Sequence, residues 1–331
     1  MPYQADRMED FVNRVKKSRR ELERWASRHA IQAYRIYDRD IPGFPFVVDR
    51  YGSWVVVSSM AREESLVAML QSDPLRLKEA FGVESERVVW RERSRQRGSS
   101  QYQRLSEMPL VDFVVENGLR FEINLTQYLD VGLFLDHRKT RMLIGRISAN
   151  RRCLNLFCYT GSVSVAMAQG GASHVDSVDM SRTYLDWAQR NFELSGMLGS
   201  SRYSFLQQDV LGWLEGGAQG AQWDLIFVDP PSFSNSKRMN GTFDVQRDHQ
   251  WLLDQLGRHI APGGVLIFSN NRSGFRLEAN TLVGFRRAEI SAWTNPKDFR
   301  RRHGHTSFVF CREDQALEQV LVTLRGLGPD L

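Results

Sequence analysis

The stretch Leu154 to Ser181, LNLFCYTGSVSVAMAQGGASHVDSVDMS, limits what this chain can fold into more than any other. Apolar Leu154, Leu156 and Phe157 predict a buried strand running into a turn at Thr160-Gly161-Ser162. Val163, Val165, Ala166 and Met167 follow at helical spacing as far as Gly170-Gly171, and a β-rich run closes on Val178-Asp179. Strand, turn, helix and strand make a βαβ unit, which binds its ligand outside the carboxyl ends of its parallel strands.

The chemistry of the turn narrows the ligand. Gly161 would let backbone approach it closely, and the helix behind offers N–H groups to a polar or anionic moiety. Asp179, at the end of the next strand, stands where a carboxylate accepts hydrogen bonds from ribose hydroxyls. An adenosine-containing cofactor fits both. The G-x-G-x-x-G of dinucleotide sites is missing, because Phe157, Tyr159 and Thr160 occupy the other places. S-adenosylmethionine has no pyrophosphate to cradle and tolerates that replacement better. An ordinary α/β crossover would carry the same local pattern, so the stretch alone does not decide.

The alternation continues beyond it. A helix is expected over Thr183 to Ser195, a strand over Tyr203 to Gln207 leading to Asp209, and a helical start over Val210 to Leu214. The strand Trp223 to Val228 ends in Asp229-Pro230-Pro231-Ser232-Phe233. A helix over Asp248 to Ile260, stopped by Pro262-Gly263-Gly264, precedes a strand over Val265 to Ser269. Phe285 to Cys311 reads as an antiparallel pair with Arg300, Arg301, Arg302 and His303 between. This predicts an α/β, doubly wound, mostly parallel sheet with an antiparallel edge. Gly161, Asp179, Asp209 and the Asp-Pro-Pro loop then fall on one rim, as cofactor turn, ribose acid, adenine acid and catalytic loop. Pro230 and Pro231 stiffen that loop, and Phe233 can hold a planar base. Methyl transfer needs in-line placement of nucleophile and methyl, so orientation can supply much of the rate.

The first part of the chain differs. Residues 1–33 are expected as a basic amphipathic helix, with Phe11, Val15, Leu22 and Trp25 on its apolar stripe. A solvated basic face and an RNA-touching face explain its arginines equally well. Residues 34–126 are expected as a small α+β RNA-binding domain: a hairpin over Phe46 to Val57, helix over Glu63 to Phe81 broken at Pro74, a strand from Val88, and a hairpin turning at Asn117-Gly118. In it Arg91, Arg93, Arg95, Arg97 and Arg104 face one acid, Glu92, with Tyr102 nearby to stack on a base. Residues 127–331 are expected to form the methyltransferase domain. In the joining segment, an ion pair between Asp136 and Arg138 would be a structural account, and Arg138 meeting a cofactor carboxylate a functional one.

Composition adds limits. A net charge of +5 is weak support for a polyanionic partner, and 42% hydrophobic residues exclude a disordered chain. Three cysteines, Cys153, Cys158 and Cys311, without CxxC spacing, suit a reduced cytoplasm and give no zinc site; no metal role is read anywhere. No apolar run is long enough for a membrane span.

The acceptor chemistry follows from what the loop lacks. A cytosine-C5 enzyme needs a thiolate near the base, but the strand after the Asp-Pro-Pro loop ends in Phe268-Ser269-Asn270-Asn271. A ring nitrogen with a free lone pair needs neither thiolate nor base. The segments DRYGSWVVV, RERSRQRGSSQYQ, LTQYLDVGLFLDHR, NLFCYTGS, VDMSRTYLDWAQRN, DLIFVDPPSFSNSKRM, FDVQRDH and FSNNRSGF make residues 7 to 311 resemble the bacterial 23S rRNA guanine-N7 methyltransferase family, RlmK. In many species that family is the C-terminal half of a fused K/L enzyme.

The resemblance implies a Rossmann-like class I S-adenosylmethionine-dependent methyltransferase domain, S-adenosylmethionine as cofactor and 23S rRNA or its precursor as substrate. It implies cofactor contacts at Phe134, Asp136, Arg138, Tyr159, Gly161, Asp179, Asp209 and Asp229, with Phe157, Thr160, Ser162, Met180 and Val210 beside them. The target-base loop would be Asp229 with Pro230, Pro231, Ser232 and Phe233. Lys237, Arg238 and Arg247 join the arginine segment as candidate RNA contacts. A THUMP and guanine-N2 methyltransferase module, fused or separate, is the implied companion. Methylation at guanine N2 or cytosine C5, or a vestigial site in a non-catalytic rRNA assembly factor, remain the alternatives.

Overall fold

The computed structural model describes residues 2–60, 64–92, 108–197, 199–234, 242–299 and 302–328, and the side chains of 2–7 and 219 are outside that description. The chain divides into two compact units, Met1–Val131 and Gly132–Leu331.

The first unit begins with helix α1 (Pro2–Arg28). Strands β1 (Ala33–Asp38), β2 (Phe46–Tyr51) and β3 (Trp54–Ser59) follow, then helices α2 (Glu64–Gln71) and α3 (Pro74–Phe81) and strand β4 (Val88–Glu92). The sheet runs β1-β2-β3-β4, antiparallel except for the β3–β4 pair. Pro74 separates two helices rather than kinking one. It occupies the first turn of α3, where its missing N–H costs nothing, and Asp73 caps that helix by accepting from Arg76 N. The apolar stripe of α1 packs into this core: Phe11 stacks on Phe44 with centroids 4.9 Å apart and meets Tyr37 edge-on at 5.1 Å. Part of its basic face is tied locally, with Arg14 bonded to Asp40, Lys16 to Glu79, and Arg19 to Glu23 and the Ala80 carbonyl.

Strands β5 (Val111–Glu116) and β6 (Leu119–Asn124) form the separate hairpin expected at Asn117-Gly118, both residues being left-handed. The unit ends later than residue 126 because Asn124 N donates to Val131 O and Gln127 N to Asn124 Oδ1, holding the segment against β6.

In the second unit α4 (Arg138–Ile147) precedes β7 (Arg152–Leu156), α5 (Ser162–Gln169), β8 (His174–Asp179), α6 (Arg182–Leu194), β9 (Tyr203–Gln207), α7 (Val210–Glu215) and β10 (Trp223–Val228). The two-residue strands β11 (Phe233–Ser234) and β12 (Phe243–Asp244) pair, and α8 (Val245–Gly257), β13 (Ile260–Asn270), β14 (Arg286–Glu289), α9 (Ser291–Thr294), β15 (Thr306–Cys311) and α10 (Asp314–Arg325) complete the unit. The sheet order is β14-β15-β13-β10-β7-β8-β9. Strands β13, β10, β7, β8 and β9 are mutually parallel, and β15 is antiparallel to both β13 and β14. The central strands carry continuous apolar runs, such as Leu225 to Val228, buried because both faces of the sheet are covered.

Two boundaries differ from expectation for identifiable reasons. Helix α8 starts at Val245, because Asp244 accepts from Gln246 N and Arg247 N and so sets the cap earlier than Asp248. Pro262-Gly263-Gly264 is not a loop after that helix. It lies inside β13, where the register to β10 shifts between the Trp223–Ile260 and Leu225–Val265 pairs and Gly263 adopts φ +69°.

At the amino ends of the strands a buried carboxylate is fully engaged. Asp176 of β8 accepts from Trp223 Nε1 at 2.7 Å and lies 3.0 Å from His174 Nε2 and 3.4 Å from Arg152 Nη2.

Candidate active site

Strand register brings the carboxyl ends together: Leu156 pairs with Val178 and Val228, and Asp179 with Gln207. Strand order reverses between the parallel neighbours β7 and β10, from which the chain adds strands to opposite sides of the sheet, and ligands bind such sheets at that switch point.

The turn after β7 has an uncommon backbone. Phe157 (φ 52°), Tyr159 (φ 51°) and Gly161 (φ 68°) are all left-handed, and for the two side-chain-bearing residues this costs about 1–2 kcal/mol each. The strain is held by Cys158 N donating to Val178 O, Tyr159 N to Asp179 Oδ2, Thr160 Oγ1 to Gly132 O, and Asn191 Nδ2 to Thr160 O, all within 2.6–3.1 Å. Gly161 also meets a steric demand of the fold. A Cβ there would sit 2.6 Å from Ala188 Cβ, so the glycine lets the turn close on α6.

Asp179 is nearly buried, and its backbone donors are Ser181, Tyr159 and Met180. Burial outweighs those donors and raises its pKa to about 6. A carboxylate has about four acceptor positions, so a further donor has a place on it, and a hydroxyl bonded there would relieve the burial cost. Beside it Phe134 is part-exposed, 5.1 Å from the Tyr159 ring, which in turn meets Tyr184 edge-on at 4.6 Å. Gln207 Nε2 donates to Met180 O, and Asp209 caps α7 through Leu211 N ahead of buried Val210. A ribose and a purine fit this donor and acceptor set, with Ser162 opening α5 behind the turn.

Asp229, Pro230 and Pro231 leave β10 on the same rim. Ser232 Oγ donates to Asn271 Oδ1 at 2.6 Å, Ser232 O accepts from Val245 N, and Phe233 is 52% exposed. The loop is thus pinned on both sides while its aromatic ring faces outward.

Arg138 and Asp136 each meet a partner from far along the chain. Arg138 is buried and forms a bidentate pair with Asp298, so the carboxylate it meets belongs to the protein. Asp136 Oδ2 lies 3.2 Å from His305 Nδ1, and His137 Nε2 lies 3.2 Å from Asp229 Oδ2. Gly304 leaves room for this, since a Cβ there would fall 2.3 Å from Asp136 Cβ. Asp136, His137 and His305 lie close enough to suggest a metal. The two imidazoles, however, stack at 4.2 Å and 12°, and their four nitrogens are engaged with Asp229, Thr140, Asp136 and Thr294. In-plane lone pairs of parallel rings do not converge on one ion.

His137, His305, Asp298 and Asn271 were missed by sequence reasoning. His137 stood between two residues already singled out, and that adjacency was the available signal.

Of the expected RNA contacts, Arg93, Arg95, Arg97, Tyr102, Lys237 and Arg238 lie outside the described residues. Arg91 belongs to β4 and bonds the Tyr128 carbonyl. Arg247 is exposed on α8 and pairs with Asp248 through two bonds of 2.6 and 2.7 Å.

The seven-stranded order with one antiparallel strand and acids along one rim defines a Rossmann-like methyltransferase fold. A family profile described as S-adenosylmethionine-dependent methyltransferase matches residues 58–281, and the chain belongs to that family. S-adenosylmethionine is its cofactor. A structure described as a SAM-dependent methyltransferase from Streptococcus mutans aligns with TM-score 0.73 at 22% identity, covering 92% of this chain and 81% of that one. A second, a methyltransferase complexed with SAH, gives 0.72 at 23% over the same shares. Among curated relatives, "Ribosomal RNA large subunit methyltransferase K/L" of Shewanella sp. (strain ANA-3) is 46% identical over 315 residues, 92% of this chain and 44% of the relative. Its namesake in Shewanella oneidensis is 44% identical over 319 residues, 94% and 44%. The chain spans less than half the length of these relatives. Among the described residues, no helix is long and apolar enough to cross a membrane.

Proposed function

We propose that this chain methylates guanine N7 in the large-subunit rRNA of bacteria, using S-adenosylmethionine and no covalent enzyme intermediate. The observation that favours direct attack over a covalent cytosine-C5 route is the state of the thiols, and N7 follows from the resemblance. All three cysteines are buried; burial pushes Cys153 and Cys311 up to about 12 and Cys158 well above its ordinary value. The place where a nucleophilic thiolate would stand holds Asn270 and Asn271, and Asn271 braces Ser232 of the target loop. N7 attacks with its own lone pair, so orientation is what the protein must supply.

When bound, the cofactor supplies an electrophilic methyl on sulfur. Asp179 accepts ribose hydroxyls, Asp209 the adenine amine, and the Phe157 to Ser162 turn faces the methionine side with Phe134 and Tyr159. Asp229 to Phe233 hold the guanine, Phe233 by stacking on its plane. The rRNA assignment rests on the relatives' names, which also favour a companion module, fused or separate. Arg91, Arg93, Arg95, Arg97 and Tyr102 of the first unit, and Lys237, Arg238 and Arg247 of the second, would contact the RNA, and the protein would work in the cytoplasm.

The test is incubation of the chain with labelled S-adenosylmethionine and protein-free 23S rRNA, followed by nuclease digestion and mass spectrometry. The expected product is 7-methylguanosine, lost in Asp229→Ala. Label on guanine N2 or cytosine C5, or none with intact cofactor binding, overturns the reading.

A further inference from the structure

Two buried imidazoles connect the target loop to the segment ahead of α4. His137 faces Asp229, His305 faces Asp136, and the rings lie against each other. Thr140 Oγ1 meets His137 Nδ1 at 3.3 Å and Thr294 Oγ1 meets His305 Nε2 at 3.0 Å. The Phe227 ring covers His137 edge-on at 5.9 Å. Besides the two carboxylates, the charge that acts on His137 is that of Arg141.

Charge balance restricts this cluster. Two imidazolium rings stacked out of water would repel strongly, whereas with both rings neutral the half-buried Asp229 carboxylate would meet only an uncharged donor at His137. One excess proton on the pair answers both. The surroundings place it: burial opposes charge on His137, but Asp229 and Asp136 outweigh burial and raise its pKa. Burial, and then the charge on His137, lower that of His305.

We propose that His137 is a positioning residue for methyl transfer, an imidazolium that clamps the Asp229 carboxylate to the segment bearing Phe134 and Asp136, with His305 confining the proton to it. This rests on the reading of Asp229 to Phe233 as the target-base loop. Phe134 touches the cofactor turn through Tyr159, so the clamp ties the methyl-donor side of the site to the acceptor side. The N7 lone pair carries no proton near neutrality, so a decline of turnover on the alkaline side of the ordinary imidazole range reports the clamp.

The experiment measures kcat against pH, together with cofactor affinity by calorimetry. His137→Ala is expected to lower kcat roughly 10- to 100-fold with cofactor affinity unchanged. His137→Gln, which keeps a neutral donor, should recover part of that and lose the alkaline decline. Wild-type turnover in His137→Ala, or a wild-type decline in His137→Gln, overturns the proposal. Side-chain 15N NMR supplies a readout without turnover. Asp229→Asn should lower the His137 titration midpoint, and an unmoved midpoint overturns the clamp. Full activity in Asp229→Ala alongside a moved midpoint would instead overturn the target-loop reading and leave the ion pair standing.

Discussion

Arg138 and Asp298, 160 positions apart, meet through two hydrogen bonds, Nη1 to Oδ1 at 2.9 Å and Nη2 to Oδ2 at 3.3 Å, both side chains being closed to solvent. Removing one partner strands the other charge in the interior, which typically costs 3–5 kcal/mol. Asp298→Ala is therefore expected to lower unfolding stability by about that amount in a denaturant titration. A loss below about 1 kcal/mol would show that water reaches the site.

At Gly161 the expected cost has two sources, the left-handed backbone and the contact of a new Cβ with Ala188. Gly161→Ala should destabilise by roughly 3 kcal/mol and weaken cofactor binding. Adding Ala188→Gly should restore the steric share only. Full recovery in the double variant would mean that backbone conformation contributes nothing.

Asp179 should couple cofactor binding and stability in opposite directions. Its folded pKa of about 6 stands above the 3.8 of an unperturbed carboxyl. Between those values the folded chain binds the proton and the unfolded chain does not, so this group's contribution to stability rises as pH falls from 6 towards 3.8. At neutral pH its buried charge destabilises the cofactor-free protein by up to about 3 kcal/mol. Asp179→Asn is expected to raise the melting temperature of that form while sharply weakening cofactor binding, checked by scanning calorimetry and titration. Wild-type cofactor affinity would also weaken below pH 6.

A direct attack by N7 leaves the cysteines without a chemical part. Cys158→Ala, the substitution nearest the turn, should keep turnover within a few-fold of wild type, measured with the labelled cofactor. Loss of all activity in a folded variant would reopen covalent catalysis.

For the arginine segment, Arg93→Ala with Arg95→Ala should weaken rRNA binding and flatten the log–log salt dependence by roughly one unit per lost phosphate contact. An unchanged slope in filter binding would return the segment to a solvated loop.

Most elements of the second unit could be read from the chain because their signals are local. The strands Tyr203–Gln207 and Trp223–Val228 fall where their apolar and β-branched runs put them, and the antiparallel edge follows from the run ending at Cys311. Asp179 ends β8, and Asp209 and Asp229 follow β9 and β10 by two residues and one, so local strand signals mark their positions. What could not be read was contact across long separations. His305 meets Asp136 from 169 positions away, and neither periodicity nor capping marks such a pair. Gly161 shows the complementary limit, since sequence announces a missing side chain without telling which neighbour needs the space. Inside β13, Pro262-Gly263-Gly264 imitates a loop because a bulge uses the same residues as a turn.

Strand β8 carries two buried carboxylates three residues apart with opposite assignments. Asp176 is saturated by Trp223, His174 and Arg152 at the amino end of the sheet, while Asp179 keeps acceptor capacity at the other. Adaptation to a warmer or colder habitat accordingly has somewhere to act. Changes around Asp176 can retune the melting behaviour of the sheet, and the end that grips the cofactor need not change with them.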